Sequence, residues 1–536
     1  MLWKKESNQP TALYVDLFAK TPVSMIDRAL QAFSQYSNPA KSNQTALQKR
    51  MQGNALFDKR KWAEAMEKYN ESLCFAIVGS KHISLAYANR ASCFLKLKLY
   101  NECLIDIELA KKSGYPRELM SKLNKRESDC LKCLAGCLTF RDANPELPAF
   151  NQKLSFDADE NVPCMANVLS VNRNEMGKLS TIAQQDIDVG QTIVMGKAFL
   201  VYLYSRFGWK CNSCLKDNTN LMPCSKCTVA MFCSDECQNN VLHKDECGLK
   251  FHTDKQQNGL LLNEIRLLLI AMNIFDTVDE LMNFVEDAVK CDNIPISLVD
   301  DRSKYRMFLK MPISIKFAQK PDFLFIVYSI YKACLNVKKI SKQFDTVHRR
   351  RFLMHLISQH TQITNFNSNH VSSRPKDEVD FYQQIGLTLN FFNHSCAPNV
   401  SMNERNGNSV YVTIRPIKKG DELFISYFKF LLQPKHVRQQ CLWNEKHIKC
   451  NCIRCSTVST SSAVQRQLLT LDPSFRLILS NASKLTPYDY SKIEETIDKC
   501  ITFLRKYGDE DWCDEIAKIV DAYINTLQCQ ISRPVY

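Results

Sequence analysis

Residues 211–247 read CNSCLKDNTNLMPCSKCTVAMFCSDECQNNVLHKDEC, and this stretch decides how the rest of the chain is organised. It holds Cys211, Cys214, Cys224, Cys227, Cys233, Cys237, His243 and Cys247, eight potential metal ligands in 37 residues. Zinc takes four thiolate or imidazole ligands in a tetrahedron, and a pair two residues apart supplies two of them from one turn. Cys233 and Cys237, like His243 and Cys247, are spaced i, i+4 and so share one helix face. Eight ligands make two closed sites with no open position, so the two ions are expected to be structural and not catalytic. The segment has few apolar residues and is expected to fold only with metal.

Outward from this block the chain changes character on both sides. Before it, ANVLSV (166–171), TIVMG (192–196) and FLVYLY (199–204) are short alternating runs that predict strands. After it, residues 258–362 are helical by period, with Leu261, Ile265, Leu268 and Met272 on one face. Strands return over 380–430. A second cluster, Cys450, Cys452 and Cys455, follows, and 463–530 predicts two or three closing helices. Three cysteines are one ligand short of a closed site.

The N-terminal part repeats. Gly53, Leu56, Ala65 and Tyr69 occupy relative positions 0, 3, 12 and 16, and Ala91, Phe94, Cys103 and Ile107 restate that spacing 38 residues later. Small residues at the first and third positions let two helices approach, and large ones fill the gap. A weaker helical unit runs from Pro116 to about Cys137. Residues 1–43 are polar and irregular, with one short helix predicted near Met25–Tyr36.

Composition bounds the classes. The 536 residues predict three or four folding units, and the hydrophobic fraction of 45% with 24% charged is ordinary for a globular chain. Only 14 glycines favour helix over a Gly-rich β architecture. The apolar runs Leu260–Phe275 and Phe323–Tyr331 are interrupted by charge or too short to span ~30 Å of hydrocarbon, so no membrane span is predicted. The start, MLWKKESNQP, has no apolar core of a secretory signal. With 24 cysteines and no such signal, the thiols are expected reduced or metal-bound, which places the chain in cytoplasm and nucleus. The net charge of +14 favours acidic partners. No basic run with interleaved aromatics accompanies it, so direct nucleic-acid binding is not expected.

Several segments resemble known families. The spacing over 211–247 resembles the MYND zinc finger with every ligand present. That resemblance implies interleaved sites: Cys211, Cys214, Cys233 and Cys237 in one, Cys224, Cys227, His243 and Cys247 in the other. GLTLNFFNHSCAPNV (386–400) followed by GDELFISY (420–427) resembles the SET-domain signature of lysine methyltransferases. The finger within this segment, with Cys-x-Cys-x2-Cys after it, is similar to the SET-and-MYND family. GNALFDKRKWAEAMEKYNESL and AYANRASCFLKLKLYNECLIDIELAKKSGYP resemble tetratricopeptide repeats, whose period is 34 residues, with the extra four placed around Val78–Ser84. The implied architecture is α+β: an extension (1–43), helical tetratricopeptide repeats (44–137), a linker (138–164) and a β-rich SET domain (165–430). The SET domain is split by the MYND finger (211–247) and a helical insert (248–362). A post-SET zinc segment (431–460) and C-terminal helices (461–536) close the chain.

The family chemistry needs no strong base. S-adenosylmethionine carries an activated sulfonium methyl, and the protein must hold a neutral lysine amine in line with it in a dry channel. Desolvation lowers the lysine pKa, and oriented dipoles face the methyl. The resemblance implies Tyr427 as the catalytic tyrosine and Asn393 and His394 at the cofactor, with Gly177, Lys178 and Leu179 as the cofactor turn and Asn367 at its methionine end. It implies Cys396 as fourth ligand to Cys450, Cys452 and Cys455, giving three structural zinc ions in all. Three positions depart from the family. The turn at NEMGKLSTIA (174–183) lacks the second glycine, Lys446 replaces a channel tyrosine, and Ile448 replaces an aromatic that packs on adenine. Two function classes therefore stand: a protein-lysine methyltransferase acting on histone or other proteins, and a scaffold of the same fold with weak or lost catalysis that binds chaperones or transcriptional regulators. Arg50, Asn54, Asn89, Lys122 and Arg126 resemble a carboxylate clamp for a chaperone C-terminal tail. The MYND resemblance implies proline-containing peptides as partners.

Overall fold

The computed structural model describes residues 40–141, 153–174, 177–204, 208–216, 220–248, 259–291, 295–313, 321–372, 381–428, 431–456, 463–486, 489–509 and 512–531. The helix expected near Met25–Tyr36 and residues 142–152 of the expected linker lie outside them.

The N-terminal part is an array of helices: α1 (Asn43–Asp58), α2 (Trp62–Phe75), α3 (Lys81–Lys96), α4 (Tyr100–Lys112) and α5 (Met120–Arg141). Ser42 caps α1 by accepting from the Thr45 N–H at 3.3 Å. The hairpins close where small meets large. A Cβ on Gly53 would lie 2.5 Å from the Tyr69 ring, and Ala91, Phe94, Cys103 and Ile107 are all buried at the corresponding contact of α3 and α4.

The strand-rich unit opens with β1 (Leu169–Arg173), β2 (Leu179–Ala183), β3 (Thr192–Lys197) and β4 (Leu200–Leu203). Residues 153–164, expected as linker, are instead fastened to β3. Ser155 and Thr192 exchange hydrogen bonds at 2.9 Å, and Val162 is buried. The finger follows, with a two-residue hairpin β5 (Met222–Pro223) and β6 (Met231–Phe232), then α6 (Asp235–Gln238) and α7 (Val241–Glu246). Its apolar side chains Leu221, Met231 and Phe232 pack into the same core as α2, α3 and α4. Polar contacts lock that junction. Arg90, fully buried, grips Asp106 with two nitrogens at 2.7 and 2.8 Å and donates to Asn70 Oδ1 at 2.6 Å and the Leu221 carbonyl at 2.9 Å. Asn220 donates to Asp106 at 2.7 Å from the finger side.

The helical insert comprises α8 (Gly259–Ile274), α9 (Val278–Lys290), α10 (Asp301–Leu309), α11 (Pro321–Leu335), α12 (Lys338–Gln343) and α13 (Val347–Asn367). Leu261, Ile265, Leu268 and Met272 are all buried in the central core shared with the strands. The strands resume as β7 (Asn369–Ser372), β8 (Phe381–Ile385), β9 (Asn393–His394), β10 (Val400–Arg405), β11 (Asn408–Thr413) and β12 (Phe424–Ile425). The described strands form small sheets. β10, β11 and β3 run antiparallel in that order, as do β4, β8 and β7, while β9 pairs in parallel with β12 through Asn393↔Phe424 and His394↔Ile425.

α14 (Lys435–Lys446) leads into the second cysteine cluster, with Cys450 and Cys452 in the segment that follows it and Cys455 on the single turn α15 (Ile453–Ser456). Four closing helices follow among the described residues, where two or three are expected: α16 (Ala463–Leu471), α17 (Pro473–Ala482), α18 (Tyr490–Tyr507) and α19 (Asp514–Ile531). The extra break sits at Asp472–Pro473, where the aspartate caps α17 and the proline opens it. No helix of the described residues is long and apolar enough to cross a membrane.

Candidate active site and metal centres

Three groups of four ligands converge: Cys211, Cys214, Cys233 and Cys237; Cys224, Cys227, His243 and Cys247; Cys396, Cys450, Cys452 and Cys455, each with its ligand atoms within 4.8 Å of one another. A tetrahedron around zinc with Zn–S of about 2.3 Å has edges of about 3.8 Å. The Sγ–Sγ separations match it: 3.6 Å for Cys214–Cys233 and Cys233–Cys237, 3.8 Å for Cys224–Cys247, 3.9 Å for Cys396–Cys450 and 3.6 Å for Cys396–Cys455. His243 presents Nε2, 3.3 Å from Cys224 Sγ. The donor sets are closed and soft, so they suit zinc held for structure. Four thiolates around one divalent ion leave a net negative site, and buried Arg438 stands 3.6 Å from Cys455 Sγ to offset it.

The third group adjoins a cavity of about 360 Å³. Its wall is drawn from six parts of the chain: Arg173 of β1, Gly177 to Leu179 at β2, Lys310 after α10, Phe366 and Asn367 of α13, Asn390 and Asn393 before and in β9, and Tyr427. Lys446 and Ile448 close it from the end of α14. His447 caps that helix with a left-handed φ of 54°, which turns the chain back so that both neighbours face one space. Gln439 then fixes Cys450 in both directions, donating to its carbonyl at 2.5 Å and accepting its N–H at 3.2 Å.

Each polar wall residue is set by a specific partner. Asn393 Nδ2 donates to the Leu179 carbonyl at 3.1 Å and to Glu422 Oε1 at 2.6 Å, tying β9 to the turn before β2. Asn367 Nδ2 donates to the carbonyls of Pro312 and Ile363 at 2.7 and 2.8 Å. The Tyr427 hydroxyl donates to the Phe392 carbonyl at 2.8 Å. Burial, with the Glu422 charge adding to it, pushes the Tyr427 pKa up to about 12, so the hydroxyl stays protonated at neutral pH. The Lys446 ammonium donates to the Phe366 carbonyl and lies 4.9 Å over the Phe366 ring, while burial pulls its pKa below the ordinary lysine value.

The His394 side chain does not line the wall. Nδ1 accepts the Tyr427 N–H at 3.1 Å, and Nε2 lies 3.4 Å from Cys396 Sγ. An Nδ1 that accepts leaves the proton on Nε2, facing the thiolate. Burial holds the ring neutral, with its pKa lowered to about 4. The histidine therefore ties the tyrosine backbone to a metal ligand, because β9 alternates its side chains and only Asn393 points to the cavity side.

Arg173 and Lys310 are wall residues outside every quoted motif; Asn390 sits inside GLTLNFFNHSCAPNV but is not singled out by the sequence reading. Glu422 was within reach, as the second acid of GDELFISY.

In the array, Asn54 Oδ1 accepts from Asn89 Nδ2 at 2.8 Å and from the Tyr69 hydroxyl at 3.0 Å. Arg126 donates to the Ala88 carbonyl, and both Arg50 and Arg126 act electrostatically on Tyr69 and Tyr115. Arg50, Asn54 and Arg126 thus gather about Tyr69, with Asn89 joined through Asn54. Lys122 is exposed, and no contact joins it to the others among the described residues.

Family models match the chain twice: the MYND finger over residues 211–247 and the SET domain over residues 240–428. Asn367, Asn390, Asn393, Cys396 and Tyr427 fall inside that second match, whereas Arg173 to Leu179 precede both matches and Lys446 to Cys455 follow them. The two matches together support the SET-and-MYND family. Relatives in the family are distant. Protein-lysine N-methyltransferase SMYD4 of Danio rerio is 26% identical over 266 residues, 44% of this chain and 32% of that protein. The protein of the same name in Mus musculus is 22% identical over 566 residues, 81% of this chain and 70% of that protein. Histone-lysine N-methyltransferase ASHR1 of Arabidopsis thaliana is 25% identical over 289 residues, about half of each chain. The chain thus spans as little as a third of a SET-and-MYND relative's length in these matches.

Proposed function

We propose that this chain is an S-adenosylmethionine-dependent protein-lysine N-methyltransferase. One observation carries the reading: Gly177, Lys178, Leu179, Asn367, Asn393 and Tyr427, drawn from separate segments, line a single cavity. The wall suits the cofactor. Arg173 Nη2 and Asn390 Nδ2 are buried donors without an acceptor among the described residues, and a ligand bearing a carboxylate and ring nitrogens would supply acceptors. Met307, Met311, Leu389 and Ile448 offer apolar surface for its base and ribose edges.

S-adenosylmethionine supplies an electrophilic methyl on a sulfonium. The chain's residues do the rest. Asn393, fixed between Leu179 and Glu422, and Asn367, fixed on α13, position the ligand. The protonated Tyr427 hydroxyl cannot act as a base near neutral pH. Its proton is committed to the Phe392 carbonyl, so its oxygen lone pairs are presented to the cavity, where they favour a developing or transferring positive centre. A target lysine amine entering this apolar space loses water, which lowers its pKa and frees the lone pair. Tyr427→Phe is expected to lose at least about 100-fold in turnover while cofactor affinity changes little. Unchanged turnover would remove the tyrosine from the mechanism. Calorimetric titration of the cofactor, with Asn393→Ala as control, tests the site itself.

A second reading, a scaffold with weak or lost catalysis, is favoured by the Lys446 ammonium in the wall and by Ile448 in place of an aromatic. In both readings the helical array, read as tetratricopeptide repeats, recruits partners. Arg50 and Arg126 suit a carboxylate-rich chain terminus such as a chaperone tail. A proline-containing peptide at the MYND finger would use the face away from the array, because Leu221, Met231 and Phe232 are covered. The reduced-thiol chemistry fits the cytosol and nucleus.

A further inference from the structure

A second hollow, an open groove of about 670 Å³, lies beside α14 and the second cysteine cluster. Lys435, Gln439 and Trp443 form one wall; they are spaced i, i+4, i+8 and so make a single stripe along the helix. Lys449 and Asn451 join it from the segment that follows, and the metal ligands Cys450 and Cys455 belong to the same lining. Gln439 grips both the N–H and the carbonyl of Cys450, which ties helix to segment, so the groove is formed before anything enters it. Ile448 lines both this groove and the cavity.

Two features of the groove point to a ligand. Trp443 is 51% exposed, although covering an indole is among the larger gains an interface can make. Its ring meets that of His447 edge-on at 5.9 Å, which steadies it. The charge is one-sided. Lys435 and Lys449 are exposed, no ion pair joins either to an acid among the described residues, and no carboxylate of those residues lines the groove. The thiolates of the metal group are faced by Arg438, 3.6 Å from Cys455 Sγ, and by Arg454, which acts on both Cys396 and Cys455, so most of their charge is offset before it reaches the groove. Glu445 is exposed but lies two residues from Trp443, on another face of α14.

We propose that this groove docks an acidic peptide segment of a partner protein, with an apolar side chain seated on Trp443 and carboxylates paired with Lys435 and Lys449. From Lys435 to Trp443 is about 12 Å along the helix, which an extended chain spans in about four residues. The fitting sequence therefore has an acid about four residues from its apolar anchor. Gln440 and Asn451, both exposed, offer amides to the peptide backbone. A nucleic-acid strand is the poorer fit: two lysines and one ring are a short footprint for a phosphate chain, which needs a basic track along its length. The groove shares no residue with the clamp of the helical array, and the proposal does not depend on the methyltransferase reading.

The test is fluorescence anisotropy on the full, zinc-loaded chain with a labelled ten-residue peptide. The peptide has glutamates around a single leucine, and its C-terminus is amidated so that it offers no terminal carboxylate to the array. Saturable binding is expected at low salt, weakening as salt rises. Trp443→Ala and Lys435→Glu/Lys449→Glu are each expected to weaken it at least about tenfold, while Arg50→Ala/Arg126→Ala leaves it unchanged. Unchanged metal content and circular dichroism verify that the variants fold, and Lys435→Gln/Lys449→Gln removes the two charges with the least disturbance. No binding, binding unmoved by the groove variants, or equal binding of a peptide with glutamine in place of glutamate would overturn the proposal. Displacement by a single-stranded thymidine decamer at lower concentration than by unlabelled peptide would overturn it too, and would mark a nucleic-acid site instead.

Discussion

Replacing Asp106 by alanine should loosen the helical array and the finger together. Arg90 and Asp106 are both fully buried, and the aspartate accepts two of the arginine's four polar contacts at this junction, at 2.7 and 2.8 Å. Without it the guanidinium keeps Asn70 and the Leu221 carbonyl but becomes an uncompensated charge in a dry core. Breaking one side of a buried pair costs about 3–5 kcal/mol. Arg90→Met should cost less. Burial already raises the Asp106 pKa, so the orphaned carboxyl can protonate and still accept from Asn220. The double variant Arg90→Met/Asp106→Leu should regain most of the loss, because an apolar pair of similar volume replaces the ions. Native-state hydrogen exchange reads this locally, in α3, α4 and residues 221–232. All three should lose protection by similar free energies in Asp106→Ala. A cost below about 1 kcal/mol, or a loss confined to α3 and α4 with 221–232 still protected, would refute the view that the pair fastens the finger to the array.

Cys396→Ser should release one zinc of three while leaving the finger loaded, measured by metal analysis of the purified chain; retention of all three would remove Cys396 from the third site. Gly53→Ala gains about 1 kcal/mol of helix propensity but sets a methyl 2.5 Å from the Tyr69 ring; overpacking of this kind costs about 1–3 kcal/mol, so a net loss is expected in α1 and α2 protection. Glu264 is buried beside His360 Nδ1 at 4.0 Å, and burial raises its pKa well above the ordinary value. A raised carboxyl pKa stabilises the fold below the unfolded value near 4.5 and withdraws that stability as pH rises. Glu264→Gln should therefore gain on the parent chain by up to about 1.4 kcal/mol per pH unit as pH rises above that unfolded value, read by urea denaturation; parallel curves would show that the carboxyl ionises freely in the fold.

What was legible follows from range. The close ligand pairs rest on spacings of one to five residues, which survive translation into space almost unchanged, while the interleaving of the two finger sets and Cys396 as a fourth ligand were what the family resemblance implied. Gly53 against Tyr69 was legible for a similar reason, since one helical hairpin brings them together. The cavity was half legible. Asn390, Asn393 and Tyr427 sit in motifs, but Arg173 and Lys310 reach the wall from two segments whose meeting depends on the whole core. His394 shows the limit within a motif: adjacency in the chain does not fix which side of a two-residue strand faces the ligand. Residues 153–164 looked like linker because their apolar positions are sparse; Val162 and the Ser155–Thr192 exchange are enough to bind them to β3. The break at Asp472–Pro473 was written in plain cap chemistry, yet the apolar pattern on either side ran through it.

Asn393 and Cys396 lie three residues apart, one in the cavity wall and the other in the third metal group. Between them His394 reaches both Tyr427 and Cys396. A loop this short cannot be ordered for one purpose and slack for the other. A molecule without an ion at this third group would therefore keep its array and its finger and lose the pocket. Metal at a site that touches no ligand would then decide whether the cavity exists at all.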